Sequence, residues 1–282
     1  MAESNELGDF LRMRRAQLTP ADVGLPDTSR RRTPGLRREE VAALAGISID
    51  YLVRLEQGRD RNPSLSVTAA LAEALLLDDD ERKHLTKLSA CAGTPGLCPR
   101  GTGPVDQVPA TVHALLDRLD PTPAVLVGPW YQVLAHNEAW ERVMGSTGVL
   151  DGPAPNLARF TFLDPRSRVV FPAWDESADE QAAVLRDAAI RWRGDDDLQA
   201  LLTELQAVPD FAARWRAHDV TRKRRGTKAV VHPEAGELRI DYEVLALPDD
   251  TDQRIIAWLP ADEATADALR HLVATRLRIV GG

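Results

Sequence analysis

Between residues 10 and 62 the chain carries eleven basic side chains against seven acidic ones, and all eleven are arginine. A guanidinium is a permanently charged planar fork, well matched to pairs of phosphate oxygens. Arg30, Arg31, Arg32, Arg37, Arg38, Arg59 and Arg61 make up most of this stripe, and Arg54 follows Ser48, Ile49, Asp50 and Tyr51. The chemistry implied is phosphate neutralisation, with an affinity that falls steeply as salt rises. Other reactive types are sparse. His218 beside Asp219, together with His232, supplies the parts of an acid–base pair, Ser167 and Ser177 offer hydroxyls, and Cys91 and Cys98 are the two thiols.

Holding such groups against a duplex requires a helix presented clear of its support. The stretch PGLRREEVAALAGISIDYLVRLEQGRDRNP, from Pro34 to Pro63, has the punctuation for one. Arg37 to Ala45 places Val41, Leu44 and Ala45 on an apolar face and puts Glu39 and Glu40 in the first turn, where the helix dipole favours acids. Gly46 ends that helix, Ile47 plugs the gap, and Ser48 caps the next one, whose inner face is Leu52 and Leu55. Ile49, Asp50, Tyr51 and Arg54 are left pointing outward. Gly58 supplies the stop, and Arg59 and Arg61 follow where a loop lies against phosphates. Two short helices broken at a glycine, with the second outward-facing, are a helix-turn-helix, the geometry that places one helix in the major groove.

The flanks complete a small all-α domain. Leu7 to Ala16 reads as a first helix with Leu7, Phe10 and Leu11 turned inward. Pro63 and Ser64 open a fourth, with Ser66 to Leu77 carrying Val67, Leu71, Ala74 and Leu75 at helical spacing, and Asp79 to Ala90 is a fifth with an acidic first turn. CAGTPGLCPRGTGPVDQVP, Cys91 to Pro109, concentrates glycine and proline and lacks apolar period, as a linker does. The expected division is a DNA-binding domain at 1–91, a linker at 92–109 and a second domain at 110–282. A chain of 282 residues with 44% hydrophobic content suits two cores. The net charge of −8 lies mainly in the second part, since residues 1–90 hold 14 basic and 15 acidic groups and residues 91–282 hold 21 and 28.

Beyond the linker the periodicity is mixed. Thr111 to Leu119 is helical. Ala124 to Val127 and Tyr131 to Ala135 read as a hairpin turned at Gly128 and Pro129. Asn137 caps a helix through Val143, Asn156 to Phe162 forms another, and Glu176 to Trp192 is a long amphipathic helix with Ala183, Leu185, Ala189 and Trp192 inward. Leu198 to Leu205 and Phe211 to Trp215 continue as helix. Three strand-like runs follow, Lys228 to His232, Glu237 to Leu247 and Arg254 to Leu259, before a last helix from Glu263 to Val280. In GELRIDYEVLALP, Leu238, Ile240, Tyr242 and Val244 share one side. These elements predict one antiparallel sheet of about five strands with helices over one face, an α+β arrangement compatible with a PAS-like sensor fold.

The Pro34–Pro63 segment resembles the XRE class of helix-turn-helix regulators, a lambda-repressor-like fold. The longer run LGDFLRMRRAQLTPADVGLPDTSRRRTPGLRREEVAALAGIS resembles the MmyB-like subfamily, which is marked by an arginine-bearing insertion, here Leu18 to Pro34. PAVLVGPWYQVLAHN, NLARFTFLDP, FPAWDESA, DFAARWRAHDV and VVHPEAGELRIDYEVL carry the likeness into the second half, so it spans nearly the whole chain. His136 and PWYQVL depart from the usual pattern of those regulators, which bears on the pocket and its ligand range. By this resemblance Arg38 would contact a phosphate, Ile49, Asp50, Tyr51 and Arg54 would face base edges or backbone, and Glu56 would be structural. The second domain would be PAS-like and ligand-binding, with long-chain, fatty-acid-like molecules as the class. Trp140, Phe160, Phe162, Trp192, Trp215, Tyr242 and Trp258 are candidates to line its cavity, though aromatics also dominate cores. Arg159, His218, His232 or Tyr242 would serve a carboxylate.

The resulting expectation is a ligand-responsive transcription regulator binding double-stranded operator DNA as a homodimer, with half-sites about one helical turn apart. The competing expectation keeps the DNA-binding half and makes the second domain a dimerisation or partner-recruiting module without a ligand. No nucleophile elbow, phosphate loop or two-histidine zinc pattern accompanies the histidines and serines, so catalysis is not expected. Two cysteines alone make an incomplete zinc site, and no metal or cofactor is expected. The cysteines read as free thiols in a reducing compartment, although Gly93, Pro95 and Gly96 would let them meet as a redox switch. No run approaches the roughly 20 apolar residues that cross a bilayer. The acidic start MAESNELGDF lacks a signal sequence, which points to the cytoplasm.

Overall fold

A computed structural model describes residues 5–26, 35–93, 106–217, 225–248 and 251–274. Arg30, Arg31, Arg32, His218, Cys98 and most of the expected linker lie outside these residues. The chain divides into two compact units, one formed mainly by residues 1–100 and one mainly by residues 101–282.

In the first unit the helices are α1 (Glu6–Gln17), α2 (Arg38–Leu44), α3 (Ile49–Glu56), α4 (Leu65–Ala74) and α5 (Asp79–Gly93), with a short 3₁₀ turn at Ala21–Val23 after α1. Local chemistry sets their limits. Asn5, Ser48 and Ser64 cap α1, α3 and α4 by accepting backbone N–H bonds from Gly8, Tyr51 and Val67. Gly46 and Gly58 close α2 and α3 in left-handed conformations, at φ +64° and +69°. Phe10, Leu11, Val41, Leu52, Leu55, Leu71 and Leu85 are fully buried. Leu44, expected on the inner face of α2, is instead 41% exposed. A seven-residue helix lies on its neighbours along a narrow strip, and Val41, Ala42 and Ala45 fill it.

The second unit begins with α6 (Ala110–Leu119). It continues through strands β1 (Ala124–Val127) and β2 (Val133–His136) and helices α7 (Glu138–Met144), α8 (Leu157–Leu163) and α9 (Ser167–Val170). Then come α10 (Trp174–Arg191), α11 (Asp196–Gln206), α12 (Pro209–Ala217), β3 (Arg225–His232), β4 (Gly236–Ala246), β5 (Arg254–Pro260) and α13 (Glu263–Ala274). All strand pairs are antiparallel, in the order β2-β1-β5-β4-β3. The five-stranded α+β architecture is the PAS-like one expected.

Two expectations change. The second hairpin strand starts at Val133 and not at Tyr131, because Tyr131 sits at φ +68° and the Gln132 side chain accepts the Trp130 N–H at 3.1 Å. Helices cover both faces of the sheet. The larger core packs α7, α8, α10 and α11 against Val125, Val127, Ile240, Ile256 and Trp258, while Val112 and Leu116 of α6 pack with Ala124, Leu126, Ala135 and Ile255. The reason is written in β1: all four residues of Ala-Val-Leu-Val are buried, so both of its faces need apolar cover. Asn137 ties this corner together. Its carbonyl accepts from Ala124 N and Trp140 N at 3.0 Å each, and its amide donates to Thr122 O at 2.7 Å.

Candidate DNA-binding face and ligand cavity

The outward side of α3 is Ile49, Asp50 and Arg54, with Tyr51 half-buried and Ser48 exposed at the cap. Ile49 is 48% exposed, an apolar side chain displayed to solvent on that outward side. The Arg54 guanidinium lies 5.4 Å from the Tyr51 ring centroid, which steadies both groups. Burial pushes the Tyr51 phenol pKa up, Asp60 adds to the rise, and Arg54 opposes it. Arg59 N–H bonds Arg54 O at 2.9 Å and Arg61 Nε donates to Gly58 O at 2.9 Å, so the basic loop folds back on the end of α3. Arg37 stands exposed at the start of α2, 3.2 Å from Glu39, and its N–H donates to Glu40 at 2.6 Å.

Beneath this face sits a buried carboxylate. Glu56 has 0% exposure. Arg15 Nε approaches one of its oxygens at 2.7 Å and Arg38 Nε the other at 2.6 Å. Arg15 also donates to Leu36 O at 2.9 Å, Asn5 donates to Glu56 O at 2.8 Å, and Arg12 donates to the same carbonyl. One carboxylate therefore joins α1, α2 and α3 and sets the angle at which α3 is displayed. Glu56 is structural here, in line with the resemblance. Arg38 remains 46% exposed, so it faces solvent while anchored from below.

In the second unit a cavity of about 220 Å³ lies between the sheet and α10. The sheet contributes Val125, Lys228, Tyr242, Val244, Ala246, Arg254, Ile256 and Trp258. Trp140 and Met144 of α7, Leu157, Phe171, Tyr131, and Ser177, Glu180, Gln181 and Val184 of α10 complete the wall. The Lys228 ammonium is ringed by aromatics, 4.9 Å from the centroids of Tyr242 and Trp258 and 6.0 Å from that of Phe171. Burial pushes its pKa down, and the charge of Glu180 pulls it back up. Burial also raises the Tyr242 phenol well above its ordinary value, assisted by Glu180, to which it is hydrogen-bonded. Among the described residues, the indole N–H groups of Trp140 and Trp258 and the carboxamide oxygen of Gln181 are buried without a hydrogen-bond partner. The cavity wall mixes aromatic and aliphatic side chains with a few polar ones, Lys228, Glu180, Gln181 and Arg254, the make-up of a small-molecule site.

Of the aromatic residues singled out from sequence, Trp140, Tyr242 and Trp258 meet at this cavity. The others stand elsewhere. Trp192 packs edge-on against Trp130 and donates its N–H to Asp252 at 3.0 Å. Phe162 packs on Trp174 and Phe211, and Trp215 on Phe211. Phe160 borders a separate surface depression with Arg159. The described candidate carboxylate donors are already engaged, Tyr242 within the cavity and the others away from it. Arg159 is engaged with Glu204 at 2.7 Å, the Tyr242 hydroxyl is held by Glu180, and His232 accepts the N–H groups of Glu234 and Ala235 on Nδ1. That pattern leaves the His232 proton on Nε2, which faces Ser146 Oγ and Arg142 O. Ser167 is buried and donates to Thr161 O at 2.8 Å. Sequence reasoning overlooked Lys228, Glu180 and Arg254. The one available signal was Lys228 at an inward position of an alternating strand, paired in register with buried Ile240.

Among the described residues no helix is long and apolar enough to cross a membrane, and no cluster of histidine, cysteine and carboxylate side chains offers a metal site. A helix-turn-helix domain model matches residues 6–85. The model of the MmyB-like transcription regulator ligand binding domain matches residues 108–272. No curated protein matches the chain. Both matched models describe regulatory domains, one helix-turn-helix and one ligand-binding. The chain belongs to the family of MmyB-like transcription regulators, joining a helix-turn-helix DNA-binding domain to a MmyB-like ligand-binding domain.

Proposed function

We propose that the protein is a cytoplasmic, homodimeric, sequence-specific transcription regulator whose affinity for its operator changes when a small hydrophobic molecule enters the second domain. Residues 1–91 read DNA, residues 92–109 link, and residues 110–282 sense the effector and dimerise. Ile49, Asp50, Tyr51 and Arg54 face the bases, with Ser48 at the helix start. Arg30, Arg31, Arg32, Arg37, Arg38, Arg59 and Arg61 hold the backbone on either side. The effector is an amphiphile with an apolar tail and a polar head, fatty-acid-like in class. The observation that carries the sensor half of this reading is a cavity of about 220 Å³ whose largely apolar and aromatic wall carries the amine of Lys228. A ligand that prefers one dimer geometry by a few kcal/mol shifts operator occupancy substantially.

Mass spectrometry of the denatured purified protein should reveal a co-purified amphiphile. After its removal, decanoate should raise the melting temperature and change the gel-shift midpoint on operator DNA. At about 100 times its dissociation constant a ligand adds roughly 2.7 kcal/mol to stability, well within the reach of a thermal scan. An unloaded protein indifferent to a panel of medium-chain acids, alcohols and amides would replace the sensor reading with that of a ligand-free dimerisation or partner-recruiting module.

A further inference from the structure

We propose that Lys228 is a covalent capture point, and that the cavity takes apolar aldehydes, holding them as an imine on Lys228 Nζ. The inference rests on the reading of this cavity as the ligand site and adds a reaction to it. A lysine in the middle of a strand, in register with buried Ile240, is an expensive choice for filling space. Among the described residues its side-chain nitrogen forms neither a hydrogen bond nor an ion pair, and it is held by the faces of Tyr242, Trp258 and Phe171. An amine placed in this way is unencumbered by a partner and open to the cavity.

The surroundings supply what imine formation requires. The Nζ lone pair attacks the carbonyl carbon, and the nitrogen proton passes to the carbonyl oxygen. The resulting carbinolamine loses that oxygen as water when the C=N bond forms. Ammonium plus aldehyde thus becomes protonated imine plus water, with no oxidant or reductant and no change in net charge. The aromatic faces that hold the ammonium hold the iminium equally well. Glu180, bonded to the Tyr242 hydroxyl on the same cavity wall and close enough for its charge to act on Lys228, is the carboxylate that takes the ammonium proton through a water and returns it to the departing oxygen. The depressed ammonium pKa leaves more free amine at neutral pH than a surface lysine has.

The chain has lysine at four positions, Lys83, Lys87, Lys223 and Lys228, so labelling can be mapped residue by residue. The intact protein would be treated with stoichiometric decanal and sodium cyanoborohydride near neutral pH, then digested and sequenced by mass spectrometry. Lys228 should carry the decyl group at least about tenfold faster than Lys83 or Lys87, because the cavity raises the local aldehyde concentration. Excess decanoate should protect it, and E180Q should slow it. Equal labelling of Lys83, Lys87 and Lys228, or none at Lys228, overturns the inference. If decanoate stabilises the same preparation while Lys228 stays unlabelled, the cavity remains a non-covalent ligand site and only the covalent step fails. If neither compound acts, both readings fail. Protection is measured on the native sequence, so the result stands independently of whether K228R folds.

Discussion

Glu56→Ala removes the carboxylate on which α1, α2 and α3 converge. Glu56 is wholly buried, and its two oxygens meet Arg15 and Arg38 at 2.7 and 2.6 Å. Deleting one member of a buried charge pair typically costs about 3–5 kcal/mol, most of it from the charge left behind. Arg38 is nearly half exposed and can turn to water, and Arg15 keeps its bond to Leu36 O, so the low end, about 3 kcal/mol, applies. For a domain of this size that lowers the melting midpoint by roughly 12–24 °C. Circular dichroism of the intact variant measures the midpoint, and hydrogen exchange of the α2 and α3 peptides localises the loss. Glu56→Gln, which keeps the shape and one acceptor, should lose about 1–2 kcal/mol. Because the carboxylate and its Arg15 partner are shielded from solvent, most of the deficit should persist in about 1 M salt. Glu204→Ala, which breaks the exposed Arg159 pair, should change stability by less than about 1 kcal/mol. A Glu56→Ala midpoint within about 3 °C of the native one would refute the claim that this carboxylate organises the domain.

Ile49→Ala and Arg54→Ala should each relax sequence preference by about 1–3 kcal/mol for the base edge no longer recognised, read as the ratio of specific to non-specific affinity in gel shifts. Unchanged ratios for both variants would move the groove-reading surface elsewhere. Tyr242 has its phenol pKa raised by burial and by Glu180, so the folded state keeps it protonated while the unfolded chain ionises near 10.0. Its contribution to stability is therefore complete below that pH and is lost as the pH rises further. Absorbance titration at alkaline pH should show Tyr242 ionising only with unfolding, and Tyr242→Phe should flatten the loss. Reversible ionisation of all three tyrosines in the folded protein would contradict this.

The two domains were legible for different reasons. Glycines at 46 and 58 and serines at 48 and 64 act through the backbone of their own turn, so the limits of α2 and α3 and the start of α4 could be read locally and were met, whereas α4 stops at Ala74, short of the expected Leu77. Alternation in β4 likewise identified Leu238, Ile240 and Tyr242 as one buried face. The four-residue apolar run of β1 was equally visible, but its implication of cover on both faces emerged only with α6 in place.

Local order thus determined the element sequence, the cap residues and the outward side of the recognition helix, since each depends on neighbours within a turn or two. Long-range folding alone decided which aromatics line the cavity. Trp140 and Trp258 meet there at 6.4 Å between ring centroids, while Trp192 and Trp215, of the same type and periodicity, pack elsewhere. It also placed Lys228 among Phe171, Tyr242 and Trp258 with Glu180 nearby, groups brought together from a loop, a helix and three strands. A side chain's chemistry is set by what surrounds it in space. For a residue whose neighbours are remote along the chain, no reading of the sequence by turns and strands contains that information.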